Sequence, residues 1–357
     1  MRVDELTDEL EDLQNVTDDQ EDVVTTSDLF SISSFGVDYP VETLVSRMEK
    51  ELFYIPDFQR QFVWSKAQSS RFIESLLLGL PVPGIFLFKE QDTGRHLVID
   101  GQQRLKTLIF YYQNDFNGSN FKLNGLESEW NNKNYRDLDE ADRARLDDAV
   151  IHATVFKQDL PEGDMNSVYE VFERINTGGT KLSPQEIRSC IFHGPFNDFL
   201  HRINKNPDWR AIYGNHSKRL RDIELILRFF AFYEKAEEYQ SPMKHFLNDY
   251  MKDNRNADAT KIEELEEVFE QTFSTIRASI GDRAFRPERS LNTAVFDSVA
   301  CIIARRLKDG KSFDCSDLNR RYQELLRNDR FQEGYIRSTA DPENVRRRFD
   351  EAFSAIG

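Results

Sequence analysis

Residues 96–107 read His-Leu-Val-Ile-Asp-Gly-Gln-Gln-Arg-Leu-Lys-Thr. An apolar run ends at Asp100, a single glycine follows, and apolar residues then recur at Leu105, Leu108, Ile109 and Tyr112. The first part has the character of a strand and the second has helical spacing, so the chain passes from strand to helix through one residue. Glycine makes such a turn accessible and lets the backbone approach its neighbours closely. A second apolar run at 85–89 precedes this one, separated by a stretch that includes Gln91-Asp92-Thr93-Gly94. That is a hairpin signal. A chain with a hairpin whose second strand feeds a helix must bury a sheet against helices, which sets the class as α+β for this part.

The rest of the sequence extends the pattern. Helices are expected at 41–50, 68–78, 140–150 and 165–175, and strands at 51–56 and 152–157. The stretch 114–134 is polar and reads as an insertion. Ser183, Pro184 and Glu186 have the arrangement of a capping box with proline at the first helical position. Beyond about residue 190 the pattern is helical to the end. Residues 220–233 are apolar almost all round, as expected of a buried helix. Glu224 and Arg228 lie four apart there, the spacing of a structural ion pair. The expected layout is an acidic tail at 1–30, a mixed α/β domain at 31–190 and an all-helical domain at 191–357.

Charge narrows the function classes. The net charge is -16, and residues 1–30 hold eleven acidic residues against one arginine, so -10 of it lies in the tail. This excludes a protein that coats DNA with its whole surface, while the nearly neutral remainder leaves room for a local basic groove. The tail reads as a solvated, disordered segment; an acidic arm guarding a basic cleft is the sharper alternative. Three cysteines without close spacing point to a reducing, cytoplasmic setting. No apolar run reaches the roughly 18 residues of a membrane span. Residues 305–348 hold twelve basic and eight acidic residues. They read as a solvated helix face, with a docking patch for DNA or a partner as the alternative.

The turn at 100–104 carries the chemistry. A helix start presents unpaired backbone N–H groups and the positive end of the helix dipole. Arg104, in the first turn, adds a cation suited to phosphate. Asp100, at the strand end, suits a metal ion or the orientation of a water. Together they make an anion or phosphate site. An ordinary strand-to-helix turn with a surface arginine has the same local pattern. Other nucleotide signatures are absent: there is no GxGxxG, and Ile85 and Phe86 stand where a Walker-A loop from Gly79 to Gly84 needs Lys and Ser/Thr.

Two further segments pair an arginine with amide side chains beside a chain break: residues 55–64, Ile-Pro-Asp-Phe-Gln-Arg-Gln-Phe-Val-Trp, and residues 171–182, Val-Phe-Glu-Arg-Ile-Asn-Thr-Gly-Gly-Thr-Lys-Leu. In order, Pro-x-x-Gln-Arg-x-x-Val-Trp, Pro-x-Pro, Asp-Gly-Gln-Gln-Arg and Phe-x-Arg-Ile-Asn-x-Gly-Gly-x-x-Leu resemble the N-terminal domain family of GmrSD-type, modification-dependent restriction systems. The resemblance covers roughly residues 40–190. Residues 221–228 and 291–296 look like the helical half that such proteins often carry.

The resemblance implies a ParB/sulfiredoxin-like fold for the mixed domain, followed by the all-helical domain. It also implies binding or hydrolysis of an NTP with Mg2+, regulating a DNA-cutting module in a restriction or anti-phage defence system. On this chain, Asp100, Gly101, Gln102, Gln103 and Arg104 would form the phosphate site. Asp100, Gln103 and Arg104 would take part in the chemistry, with Asp100 also the metal ligand. Gln59 and Arg60 would face the site from the first strand. Arg174, Asn176 and Thr180 would line the same cleft or fix their loop structurally. The implied partners are an HNH-type nuclease subunit or another defence protein, and DNA; a membrane is not among them. No HNH-type site is legible in this chain. Its six histidines include no close ligand pair, and Asn215-His216 reads as a polar loop. Two alternatives remain at this point: a metal-dependent nuclease using the same cleft with Asp100 as ligand, and a non-catalytic subunit that binds DNA or a partner.

Overall fold

The computed structural model describes residues 16–17, 31–55, 62–90, 93–160, 166–175 and 182–357. The chain divides into two compact units. One is Asp28–Leu182; the other is Ser183–Gly357, to which the strand Val16–Thr17 is joined by parallel pairing with Leu291–Asn292. The acidic segment 1–30 otherwise lies outside the described residues.

The first unit is built on a five-stranded mixed sheet. Its strands are β1 (Ser31–Pro40), β2 (Phe53–Tyr54), β3 (Ile85–Lys89), β4 (His96–Asp100) and β5 (Val150–Leu160), in the order β1-β5-β3-β4-β2. β3 and β4 form the expected antiparallel pair. β5 runs parallel to β3 and antiparallel to β1, with Asp38 opposite His152 and Ile85 opposite Ala153. Side chains alternate across a strand. Ile151, Ala153 and Val155 therefore join Ile85, Leu87 and Val98 in one buried cluster. Four helices share that cluster: α1 (Val41–Glu49), α2 (Lys66–Leu77), α3 (Gln102–Gln113) and α4 (Glu140–Asp148). On the other face α5 (Asn166–Ile175) packs on β4. There Ile32, Phe88, Ile99, Phe156, Lys157, Val168 and Val171 line a small cavity.

Two expectations change. The long edge strand β1 was not anticipated, although Phe35, Val37 and Tyr39 alternate. The polar stretch 114–134, read as an insertion, also contributes to the core: Phe121, Leu123 and Trp130 are buried there. The Trp130 indole donates to the Asp142 carboxylate at 2.6 Å. Burying each of these side chains contributes about 2 kcal/mol, which outweighs the polar character of the surrounding residues.

The second unit is helical apart from the short strand pair. α6 (Pro184–Ile191) starts on Ser183 with the expected capping box. It is followed by α7 (Pro195–Ile203), α8 (Pro207–Tyr213), α9 (Arg221–Lys235), α10 (Met243–Asn254), α11 (Ala259–Ser279), α12 (Thr293–Lys308), α13 (Cys315–Leu326), α14 (Asp329–Ile336) and α15 (Pro342–Ile356). α9 is buried nearly throughout and packs on α12. The expected Glu224–Arg228 pair does not form. Arg228 instead makes a two-pronged bond to Asp297 on α12, at 3.1 and 2.6 Å, and Glu224 takes Arg188 from α6 at 2.8 Å. Arg228 is buried, and a buried guanidinium needs a carboxylate matched to its fork, which the half-buried Glu224 on its own helix does not offer. Arg348 of α15 reaches the same Asp297 at 3.4 Å.

Asp297→Ala removes the carboxylate that neutralises two buried guanidiniums, so it is expected to cost about 3–5 kcal/mol. Glu224→Ala, at a partly exposed position, is expected to cost less. Denaturant unfolding of the full chain checks both, and equal costs would contradict this reading.

Candidate functional site

The site begins where β4 ends. Gly101 has φ +101°, a region that side chains rarely adopt. A Cβ there would sit 2.4 Å from Cγ2 of Ile85 and 2.9 Å from its Cβ. Both conformation and space therefore require glycine, and the result is that the start of α3 lies directly against β3. The N-cap of α3 is Gly101, which has no side chain to cap it.

Arg104, one turn into α3, uses a single nitrogen twice. Its Nη2 donates to Oδ2 of Asp100 at 2.8 Å and to the carbonyl of Gly84 at 2.9 Å. Its Nε is buried and has no hydrogen-bond partner among the described residues. The arginine side chain is 14% exposed and the aspartate 47%. The guanidinium is thus held in place by one edge while donor capacity remains, and the carboxylate is still reachable. Gly84 directly follows the Pro-x-Pro segment. Its role as acceptor for Arg104 carries no local signature.

Gln103 faces another way. Its Oε1 accepts from the backbone N–H groups of Val63 and Trp64, at 3.0 and 3.3 Å. It therefore anchors the segment that follows residues 56–61 to the first turn of α3. Gln102 lies in the same turn, half-buried. Arg174 is exposed near the end of α5. Gln59, Arg60, Asn176 and Thr180 lie outside the described residues. The structure thus brings Asp100, Gly101, Gln102, Gln103 and Arg104 into one turn and ties to it the end of the Pro-x-x-Gln-Arg-x-x-Val-Trp segment.

Residues 41–193 match the family described as GmrSD restriction endonuclease, N-terminal domain. The chain carries a GmrSD-type N-terminal domain. No curated protein gives a significant match. The GmrSD-type domain starts at α1, so the edge strand β1 lies before it. It ends just beyond α6, a helix that belongs to the second compact unit.

Other features of the chain are structural. Among the described residues no three His, Cys, Asp or Glu side chains are grouped to hold a metal, and no helix is long and apolar enough to cross a membrane. His216 lies beside the buried Arg210–Asp222 pair, 3.0 Å from Arg210 Nη1. In the basic stretch 305–348, Arg305, Arg320, Arg321, Arg330 and Arg347 are each paired with carboxylates and Arg348 is buried. That neutralisation favours the solvated-face reading over a docking patch.

His96 begins β4, buried against the Phe53 ring at 5.0 Å, with Nδ1 lacking a hydrogen-bond partner among the described residues. Burial, aided by Lys89 and Arg47, lowers its pKa from 6.5 to about 4. The unfolded chain therefore binds a proton that the folded one refuses between these values, and stability falls as pH drops from 6.5 toward 4. The expected loss at the acid end is about 2 kcal/mol. Denaturant unfolding at neutral and acid pH measures it; His96→Gln should flatten the dependence, and an unchanged slope in that variant would contradict the assignment.

Proposed function

We propose that this protein binds a nucleoside triphosphate at the Asp100–Arg104 turn and hydrolyses it with Mg2+, as the nucleotide-responsive component of a restriction or anti-phage defence system. The observation that carries the reading is the Arg104 guanidinium, fixed through Nη2 by Asp100 and Gly84 beside the start of α3. Phosphate is favoured there by the helix dipole and outward N–H groups together with the cation. Gly101 admits the close approach and Arg104 meets the phosphate oxygens. Asp100 holds the arginine and offers one exposed carboxylate.

One carboxylate suits Mg2+ that arrives with a nucleotide, because phosphate oxygens and waters complete its shell. A metal-dependent nuclease needs several converging protein ligands, and Asp100 has no such companions among the described residues. This supports the nucleotide reading over the nuclease one. Gln103 is proposed as a positioning residue. Gln59 and Arg60 belong to the segment whose far end Gln103 anchors, and are proposed to close the site from that side. Gln102, Arg174, Asn176 and Thr180 are proposed as further contacts.

The strand–glycine–helix turn and mixed sheet support a ParB/sulfiredoxin-like reading of the fold. The GmrSD-type domain supports a role in a restriction system, with DNA and an HNH-type nuclease subunit or another defence protein as partners in the cytoplasm.

The test uses ATP, GTP, CTP and UTP with Mg2+, following binding by calorimetry and release of phosphate and pyrophosphate. One nucleotide should bind and turn over. Arg104→Ala should weaken its binding about 10- to 100-fold, the value of a hydrogen bond between charged groups. Failure of all four to bind, or an Arg104→Ala variant that binds as tightly as the natural protein, would overturn the reading.

A further inference from the structure

His152 and Asp38 face each other across β5 and β1. Nδ1 of His152 lies 2.8 Å from Oδ1 of Asp38, with the two side chains 58% and 68% exposed. A carboxylate only accepts, so in the neutral ring Nδ1 carries the hydrogen and Nε2 keeps its lone pair. The ring lies over Gly36: a Cβ there would be 2.7 Å from Cε1 and 3.2 Å from Nε2. Gly84 flanks the same residue, since a Cβ on it would be 2.7 Å from the His152 carbonyl oxygen and 3.7 Å from its Cβ. Neither glycine has a positive φ, so backbone conformation does not explain them. Glycine inside a strand weakens it. The His152 ring excludes a side chain at Gly36, and the backbone carbonyl of the same residue excludes one at Gly84.

Gly84 also connects this histidine to the turn described above, for its carbonyl accepts from Arg104. The register puts Asp38, His152, the start of β3 and the end of β4 at one end of the sheet. Thr154 is level with Asp100 across β3, so His152, two residues along β5, lies roughly 12 Å from Asp100. No other histidine pairs with a carboxylate in this row of the sheet among the described residues.

We propose that His152, oriented by Asp38, is the general base for hydrolysis of the nucleotide held at Arg104. In the step, a water oxygen attacks the terminal phosphorus while Nε2 takes a proton from that water. The bond from phosphorus to the bridging oxygen breaks, and its electron pair leaves with the nucleoside diphosphate. Inorganic phosphate is released and the imidazolium returns its proton to solvent. Asp38 is a positioning residue that fixes the tautomer and the ring. Gly36 leaves room for the imidazole ring.

This rests on the nucleotide reading, and the experiment separates the two. Turnover and binding of the nucleotide chosen from the four are measured on the full chain for the natural protein, Arg104→Ala, His152→Gln and Asp38→Asn. His152→Gln should lose about 100-fold or more in kcat, the usual contribution of a general base. Its affinity should stay within about two-fold, since the base acts in the transition state. Asp38→Asn should lose kcat in the same sense, again with affinity kept. Added imidazole should restore turnover to His152→Ala, which a purely structural histidine would not allow. Hydrolysis by the natural protein that Arg104→Ala abolishes but His152→Gln leaves unchanged would overturn the assignment of the base alone. So would loss of affinity with kcat retained in His152→Gln. A natural protein that hydrolyses no nucleotide would overturn both readings.

Discussion

Nη2 of Arg104 ties together three parts of the first unit. Through Asp100 it holds the end of β4, through Gly84 it holds the chain entering β3, and its own backbone is the first turn of α3. The arrangement depends on Gly101, which alone lets α3 start this close to Ile85. A partly buried arginine is stabilised only when its charge and donors are met, so Asp100 and Gly84 are structural partners before they are anything else. The same fixation makes the guanidinium a preorganised partner for an anion, because little side-chain freedom is left to lose on binding.

What was legible in the sequence was local. The strand, glycine and helix at 96–107 lie next to one another in the chain, and so do Ser183, Pro184 and Glu186. Each rests on a few neighbouring φ/ψ values and one short-range hydrogen-bond pattern, so residue type is enough. The five residues from Asp100 to Arg104 are close in space because they are close in sequence. Their ordered recurrence with the segments at 55–64 and 171–182 carried the family reading.

What was not legible depends on partners far along the chain. Asp38 and His152 are 114 residues apart and meet only because β1 pairs with β5. Glu224 and Arg228 have helical spacing, yet tertiary partners, Arg188 and Asp297, satisfy them better. Phe121 and Trp130 lie in a polar stretch and are buried all the same, because no neighbouring residue reports which side chains the core will accept. The bonds from Val63 and Trp64 to the Gln103 carbonyl are set by where another segment returns.

The central claim is that Arg104 and the start of α3 receive phosphate. A crystal structure of the full chain with a non-hydrolysable triphosphate and Mg2+ tests it most directly. The account predicts phosphate oxygens within about 3 Å of the Arg104 guanidinium and of the first backbone N–H groups of α3. A nucleotide bound elsewhere, with the Asp100–Arg104–Gly84 bonds facing only solvent, would contradict it.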